Sequence, residues 1–143
     1  MSPGGPPALL SQPTKEEVIM QIGRQLHVLF VDNDETIVSA STRMLENLGH
    51  RVSGHNESLK ALRAFSEEPD EFDLAIVDHD MPEITGLELG ERFRRIRPGF
   101  PVMLYSGHLD SPTRKTIGAA GLEHVIMKPM TVKKLERIVR AML

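Results

Sequence analysis

Asp32, Asn33 and Asp34 stand in a row directly behind the apolar run Val28-Leu29-Phe30-Val31. Like charges at the end of a buried strand repel, so this cluster calls for a counter-ion: a divalent cation, a phosphoryl group, or both. Other polar residues follow apolar runs in the same way. Asp78 closes "DLAIV", Ser106 closes "PVMLY", and Lys128, followed by Pro129, closes "EHVIM". Carboxylates, an amide, a hydroxyl and an ammonium group together suit phosphoryl transfer. A carboxylate can be the nucleophile. Asp32, Asp78 and a main-chain carbonyl would serve a hard divalent cation. Ser106 can donate to one phosphoryl oxygen, and Lys128 can neutralise another. Taken singly, each residue reads as a cap or a turn. The set has meaning only if one edge of one fold gathers it.

The elements between these residues provide such an edge. Strand-like apolar runs fall at 28–31, 51–54, 74–77, 101–105 and 122–126. Amphipathic segments alternate with them. In 35–48 the apolar face is Ile37, Ser41, Met44, Leu45 and Leu48, with Gly49 as the stop. Leu59, Leu62 and Phe65 form the face in 57–67, and Leu87, Leu89, Phe93 and Ile96 that in 84–97. Segment 111–120 opens with Ser111-Pro112, a cap followed by Pro at the first helical position. Segment 131–143 turns Val132, Leu135, Ile138, Val139 and Met142 inward. Strands alternating with helices predict an α/β fold, a doubly wound parallel sheet covered on both faces. Right-handed crossovers bring the carboxyl ends of all strands to one edge, where ligands bind.

Bulk properties narrow the function. The 143 residues fit one domain, 40% hydrophobic and 26% charged. A net charge of −3 argues against a general binder of nucleic acid or membrane. The chain has no Cys, which removes thiolate chemistry and is compatible with a cytoplasmic location. No signal peptide or membrane span is legible. Residues 1–13 are rich in Pro, Gly and Ser and read as a leader or linker. Thr14-Lys15-Glu16-Glu17 is a capping-box pattern, and Val18, Ile19, Ile22 and Leu26 follow at helical spacing with Gly23 as a stop. Residues 1–25 are therefore expected to be a leader with a short amphipathic helix, and 26–143 the main domain. The apolar stripe of that helix should pack on the domain, a partner or a second copy in a homodimer.

"VLFVDND", "DLAIVDHDMPEITG", "PVMLYSGH" and "VIMKP" occur in order across residues 26–143. In these pieces the chain resembles the receiver domains of two-component response regulators. The resemblance implies a flavodoxin-like sheet of five strands in the order 2-1-3-4-5. It implies that Asp78 is the phosphoryl acceptor, Ser106 the switch hydroxyl and Lys128 the active-site lysine. Mg²⁺ would be the cofactor, held by Asp32, Asn33, Asp78 and the main chain of Asp80. A histidine kinase or a histidine phosphotransfer protein would be the donor, in a phosphorelay whose output partner is not specified by this chain. Such a module is a signalling switch rather than an enzyme with turnover. The Lys-Pro bond is often cis in the family.

"FVDNDET" also fits the first motif of haloacid-dehalogenase-like phosphatases, with Asp32 as nucleophile and Asp34 as general acid/base. That reading leaves Asp78, Met81-Pro82 and Gly86 unexplained, and it lacks an acidic pair after Lys128. A receiver-like module that binds partners without phosphorylation is a further alternative. It draws on two departures. Asn33 stands where the family has a second acid, which weakens a divalent site. Val125 stands where the family has an aromatic residue whose rotamer reports the switch. His79 and His108 read as solvent-facing loop residues. Arg92, Arg94, Arg95 and Arg97, and Lys133, Lys134, Arg137 and Arg140, read as solvated helix faces rather than a nucleic-acid surface.

Overall fold

The structure, a computed structural model, describes residues 14–17, 23–108, 110–122 and 124–142. The stripe of Val18, Ile19 and Ile22 lies outside them. The Glu17 amide does donate to Thr14 Oγ1 (3.1 Å), as the capping pattern requires.

Five parallel strands, β1 (His27–Val31), β2 (Arg51–His55), β3 (Leu74–Asp78), β4 (Val102–Ser106) and β5 (Val125–Met127), stand in the order β2-β1-β3-β4-β5. The helices are α1 (Glu35–Asn47), α2 (Ser58–Glu67), α3 (Gly86–Ile96), α4 (Ser111–Ala119) and α5 (Val132–Met142), with a short 3-10 turn at Pro69–Glu71. Every residue of β3 and β4 is buried, as in a sheet covered on both faces. The edge strands β2 and β5 are only partly covered.

Side chains alternate across the sheet. Leu29, Val31, Ala75, Val77, Val102 and Leu104 join Ala61 and Phe65 of α2, Leu89 and Phe93 of α3 and Ile117 of α4. Phe65 packs at the centre of this layer against the tilted rings of Phe93 and Phe100, at ring separations of 4.7 and 4.6 Å. On the other face, Val28, Phe30, Ile76, Met103, Tyr105 and Ile126 meet Val38, Leu45 and Leu48 of α1 and its cap, and Leu135 of α5.

Several expected inward positions are corrected. Leu59 and Ile96 are 52% and 41% exposed, Ala61 is buried on α2, and on α1 Val38 is buried where Ile37 is only partly so. Ala61 lies in the core layer against the sheet, and Leu59 lies on the exposed side of α2. Strand β5 begins at Val125 and not at 122. Leu122 is buried, but as a loop residue after Gly121, whose φ is 83°. The arginines of α3 are not a simple solvated face. Arg94 donates to the carbonyls of Phe100 and Gly121, and Arg97 to those of Pro69 and Phe72, so both tie loops to the helix. Lys134 likewise donates to the carbonyls of Met127 and Pro129. The side chains of Ile138, Val139 and Met142 lie outside the described residues.

Candidate functional site

Three strands deliver polar residues in register. On the face shared by Phe30, Ile76 and Met103, the next alternate positions are Asp32, Asp78 and Tyr105. Asp78 and Tyr105 are paired across β3 and β4. Asp32 is fully buried and Asp78 nearly so. A carboxylate in such a place needs donors or cations around it.

Those partners are present. The Asp34 amide donates to Asp32 Oδ1 (2.8 Å), and the Tyr105 hydroxyl donates to Asp32 Oδ2. The Asp80 amide donates to Asp78 Oδ1 (3.0 Å). Lys128 Nζ lies 3.4 Å from Asp78 Oδ2 and 3.7 Å from Asp32 Oδ2, and 5.0 Å from the centre of the Tyr105 ring. The Lys128 amide donates to the Ser106 carbonyl, which anchors the lysine to the end of β4, and the Lys128-Pro129 bond is cis. Burial raises the Asp78 pKa above the ordinary carboxylate value; the Asp80 amide opposes this, the nearby Asp32 adds to it, and Lys128 opposes it. Burial and the hydrogen bond to Asp32 also push the Tyr105 phenol up, so it remains a donor.

The loop after β3 is shaped around Asp78. Gly86 begins α3, and a Cβ there would lie 2.4 Å from the Asp78 carbonyl oxygen. The Gly86 amide donates to the His79 carbonyl, and the Thr85 hydroxyl caps the helix by accepting from the Glu88 amide. Glu83 turns the loop with a φ of 66°. Met81 and Ile84 are buried beneath it. The Met-Pro-x-x-x-Gly spacing thus marks a turn that passes directly over the strand end.

Asp32, Asp78 and Lys128 meet as the sequence suggests, and Ser106 reaches them through Asp80. The Asp80 carboxylate accepts from the Ser106 hydroxyl (2.8 Å). Ser106 is shared with the His108 main chain at 3.0–3.3 Å. Asn33 is exposed beside the buried Asp32. His108 is exposed as expected, but His79 is half-buried, and its Nδ1 is enclosed without a hydrogen-bond partner among the described residues. Val125 is half-buried against the core. Tyr105 was not among the expected site residues. The alternation Met103-x-Tyr105, set beside Phe30-x-Asp32 and Ile76-x-Asp78, puts Tyr105 on the same sheet face but does not bring it beside Asp32.

Among the described residues, no group of three or more His, Cys, Asp or Glu side chains is placed to enclose a metal. Mg²⁺ needs no such cage, since it takes one or two carboxylates with waters and phosphate oxygens. The purely oxygen donor set of Asp32 and Asp78 fits that habit.

Asp34, which a phosphatase would use as general acid/base, spends its carboxylate accepting from the Thr36 amide as the N-cap of α1. Fold and site together define an α/β module with a doubly wound parallel sheet and its polar residues gathered at the carboxyl edge of that sheet. Residues 28–140 match the response regulator receiver domain family, and the chain belongs to it. It is 30% identical over 122 residues to the two-component response regulator ARR12 of Arabidopsis thaliana, covering 85% of this chain and 20% of that protein. It is 32% identical over 119 residues to the transcriptional regulatory protein CseB of Streptomyces coelicolor, covering 83% of this chain and 50% of that protein. A receiver domain protein from Clostridium thermocellum superposes with a TM-score of 0.77 at 26% identity, over 82% of this chain and 93% of that one. The chain thus spans half or less of these two curated relatives. It is a receiver domain of two-component signalling, and the phosphatase alternative is not favoured. No described helix is long and apolar enough to cross a membrane.

Proposed function

We propose that Asp78 accepts a phosphoryl group from a phosphohistidine on a kinase or phosphotransfer protein. The observation that carries this is the placement of Lys128 Nζ between two buried carboxylates, 3.4 Å from Asp78 and 3.7 Å from Asp32. Asp78 attacks phosphorus in line, the P–N bond to the donor imidazole breaks, and the imidazole leaves with its electron pair and takes up a proton. Lys128 neutralises one phosphoryl oxygen. Ser106 breaks from Asp80 and donates to another. Asp32 and Asp78, with the Asp80 main chain and the Asn33 amide at the rim, would hold Mg²⁺, which would shield the charge of the incoming phosphoryl group. The phosphorylated form then acts on an output domain or protein, alone or as a homodimer.

Intact-mass measurement after acetyl phosphate and Mg²⁺ tests this reading. One hydroxylamine-sensitive phosphoryl group is expected per chain, absent from Asp78→Ala. Labelling that survives Asp78→Ala and is lost in Asp32→Ala would overturn it. So would sustained hydrolysis of p-nitrophenyl phosphate.

A further inference from the structure

Tyr105 is a buried polar side chain at the crevice with no role in the phosphoryl transfer proposed above. Its hydroxyl is committed to Asp32 Oδ2, and its ring lies under Lys128 Nζ. With the Asp34 amide on Oδ1, both Asp32 oxygens already have protein donors. The tyrosine is 2% exposed and is packed against Phe30 at a ring separation of 5.6 Å, so its position is set by the core rather than by solvent. A divalent cation that uses Asp32 must therefore take an oxygen that a fixed neutral donor already holds.

We propose that Tyr105 is a positioning residue that masks Asp32 and sets how tightly the crevice takes a divalent cation. This rests on the reading that Asp32 and Asp78 bind the cation. In the cation-free crevice, the Tyr105 hydroxyl and Lys128 share the charge of Asp32. Tyr105 and Lys128 would compete with a cation for the lone pairs of Asp32 Oδ2. Asn33 brings no charge to help it. The crevice is thus biased toward its empty form, and the occupied form requires a high cation concentration or the added charge of a phosphoryl group. The pairing of Tyr105 with Asn33 is coherent: one residue adds competition for the cation and the other lacks the charge to meet it.

The test uses the full chain, MgCl₂ and three proteins: wild type, Tyr105→Phe and Asp32→Asn. The phenyl ring keeps the core contact with Phe30 and removes only the hydroxyl. By calorimetry, Tyr105→Phe should bind Mg²⁺ at least roughly twofold more tightly, the low end of what one hydrogen bond contributes. The chain has one Tyr and no Trp, so its emission reports this residue alone. A carboxylate acceptor quenches tyrosine emission. Wild-type emission should therefore rise as Mg²⁺ saturates, while Asp32→Asn should begin bright and not respond. Unchanged or weaker Mg²⁺ binding by Tyr105→Phe overturns the proposal. So does a flat wild-type emission across a calorimetric saturation, even if Tyr105→Phe fails to fold. If wild type still takes a phosphoryl group on Asp78 in those cases, the phosphoacceptor reading stands and only the role of Tyr105 falls. If no protein binds Mg²⁺ and none is labelled, both fall.

Discussion

Gly86→Ala should damage both the fold and the acceptor, and the structure gives the size of the effect. A Cβ at this position would lie 2.4 Å from the Asp78 carbonyl oxygen, 2.7 Å from His79 Cα and 2.9 Å from the Asp78 carbonyl carbon. The first contact is roughly 1 Å inside ordinary van der Waals distance. All three neighbours are main chain, so no side chain can swing away. Relief requires α3 to back off from β3. That stretches the hydrogen bond from the Gly86 amide to the His79 carbonyl, and it strains the Thr85 cap. Overpacking of this kind costs about 1–3 kcal/mol, and a buried main-chain hydrogen bond adds about 1 kcal/mol. The better helix propensity of Ala returns about 0.5–1 kcal/mol at most. A net loss of about 1–3.5 kcal/mol follows, equivalent to a Tm lower by roughly 4–12 °C for a domain of this size. Urea unfolding followed by far-UV circular dichroism measures it. Gly118→Ala is the internal control. Nothing lies within 4 Å of a Cβ there, and the position is within α4, so Ala should stabilise by about 0.5–1 kcal/mol. If Gly86→Ala lies within about 0.5 kcal/mol of wild type, the close crossing of α3 over Asp78 is refuted.

Asn33→Asp should tighten Mg²⁺ by about tenfold, or ~1.4 kcal/mol, because it restores one ligand charge; calorimetry showing no change would mean that position 33 does not face the cation. His50 accepts the Leu26 amide at Nδ1, and burial holds its pKa below 6.5 despite the opposing pull of Asp73. Its contribution to stability is therefore full above the unfolded-state value and is lost as pH falls below it. Urea midpoints should drop from pH 7 to pH 5 in wild type and drop less in His50→Asn, which keeps an acceptor without a titration; the remaining slope has a contribution from His55, also shifted down by burial. On adding beryllofluoride, amide-exchange changes should concentrate in 79–87 and 106–121, because Val125 is too short and stiff to act as a swinging reporter and α4 buries only Ile117 among its described side chains. Changes confined to α1 and α2 would contradict that route.

Much of this was legible in the sequence because the central strands are buried on both faces. Leu74–Val77 and Val102–Tyr105 are unbroken apolar runs, and such runs have few alternatives to a covered parallel strand. Asp78, Ser106 and Lys128 could be placed because each ends or follows a strand. The helix faces were less legible. A large apolar residue such as Leu59 counts toward a periodic pattern even when a smaller one, Ala61, makes the close contact. Leu122 carries a strand-like signal but is buried as a loop. The bond between Tyr105 and Asp32 joins residues far apart in the chain and depends on the relative register of β1, β3 and β4. No local pattern carries that register. Likewise, the Ser106–Asp80 bond depends on two loop conformations that meet only in the folded crevice.

The most direct test of the central claim is to identify the phosphorylated atom's residue. After acetyl phosphate and Mg²⁺, reduction with borohydride converts an aspartyl phosphate to homoserine, and tandem mass spectrometry then reads its position. The account predicts homoserine at position 78, with Asp32, Asp34 and Asp80 unchanged. Homoserine at position 32, or an unmodified chain under conditions that label a receiver domain of known activity, would contradict it.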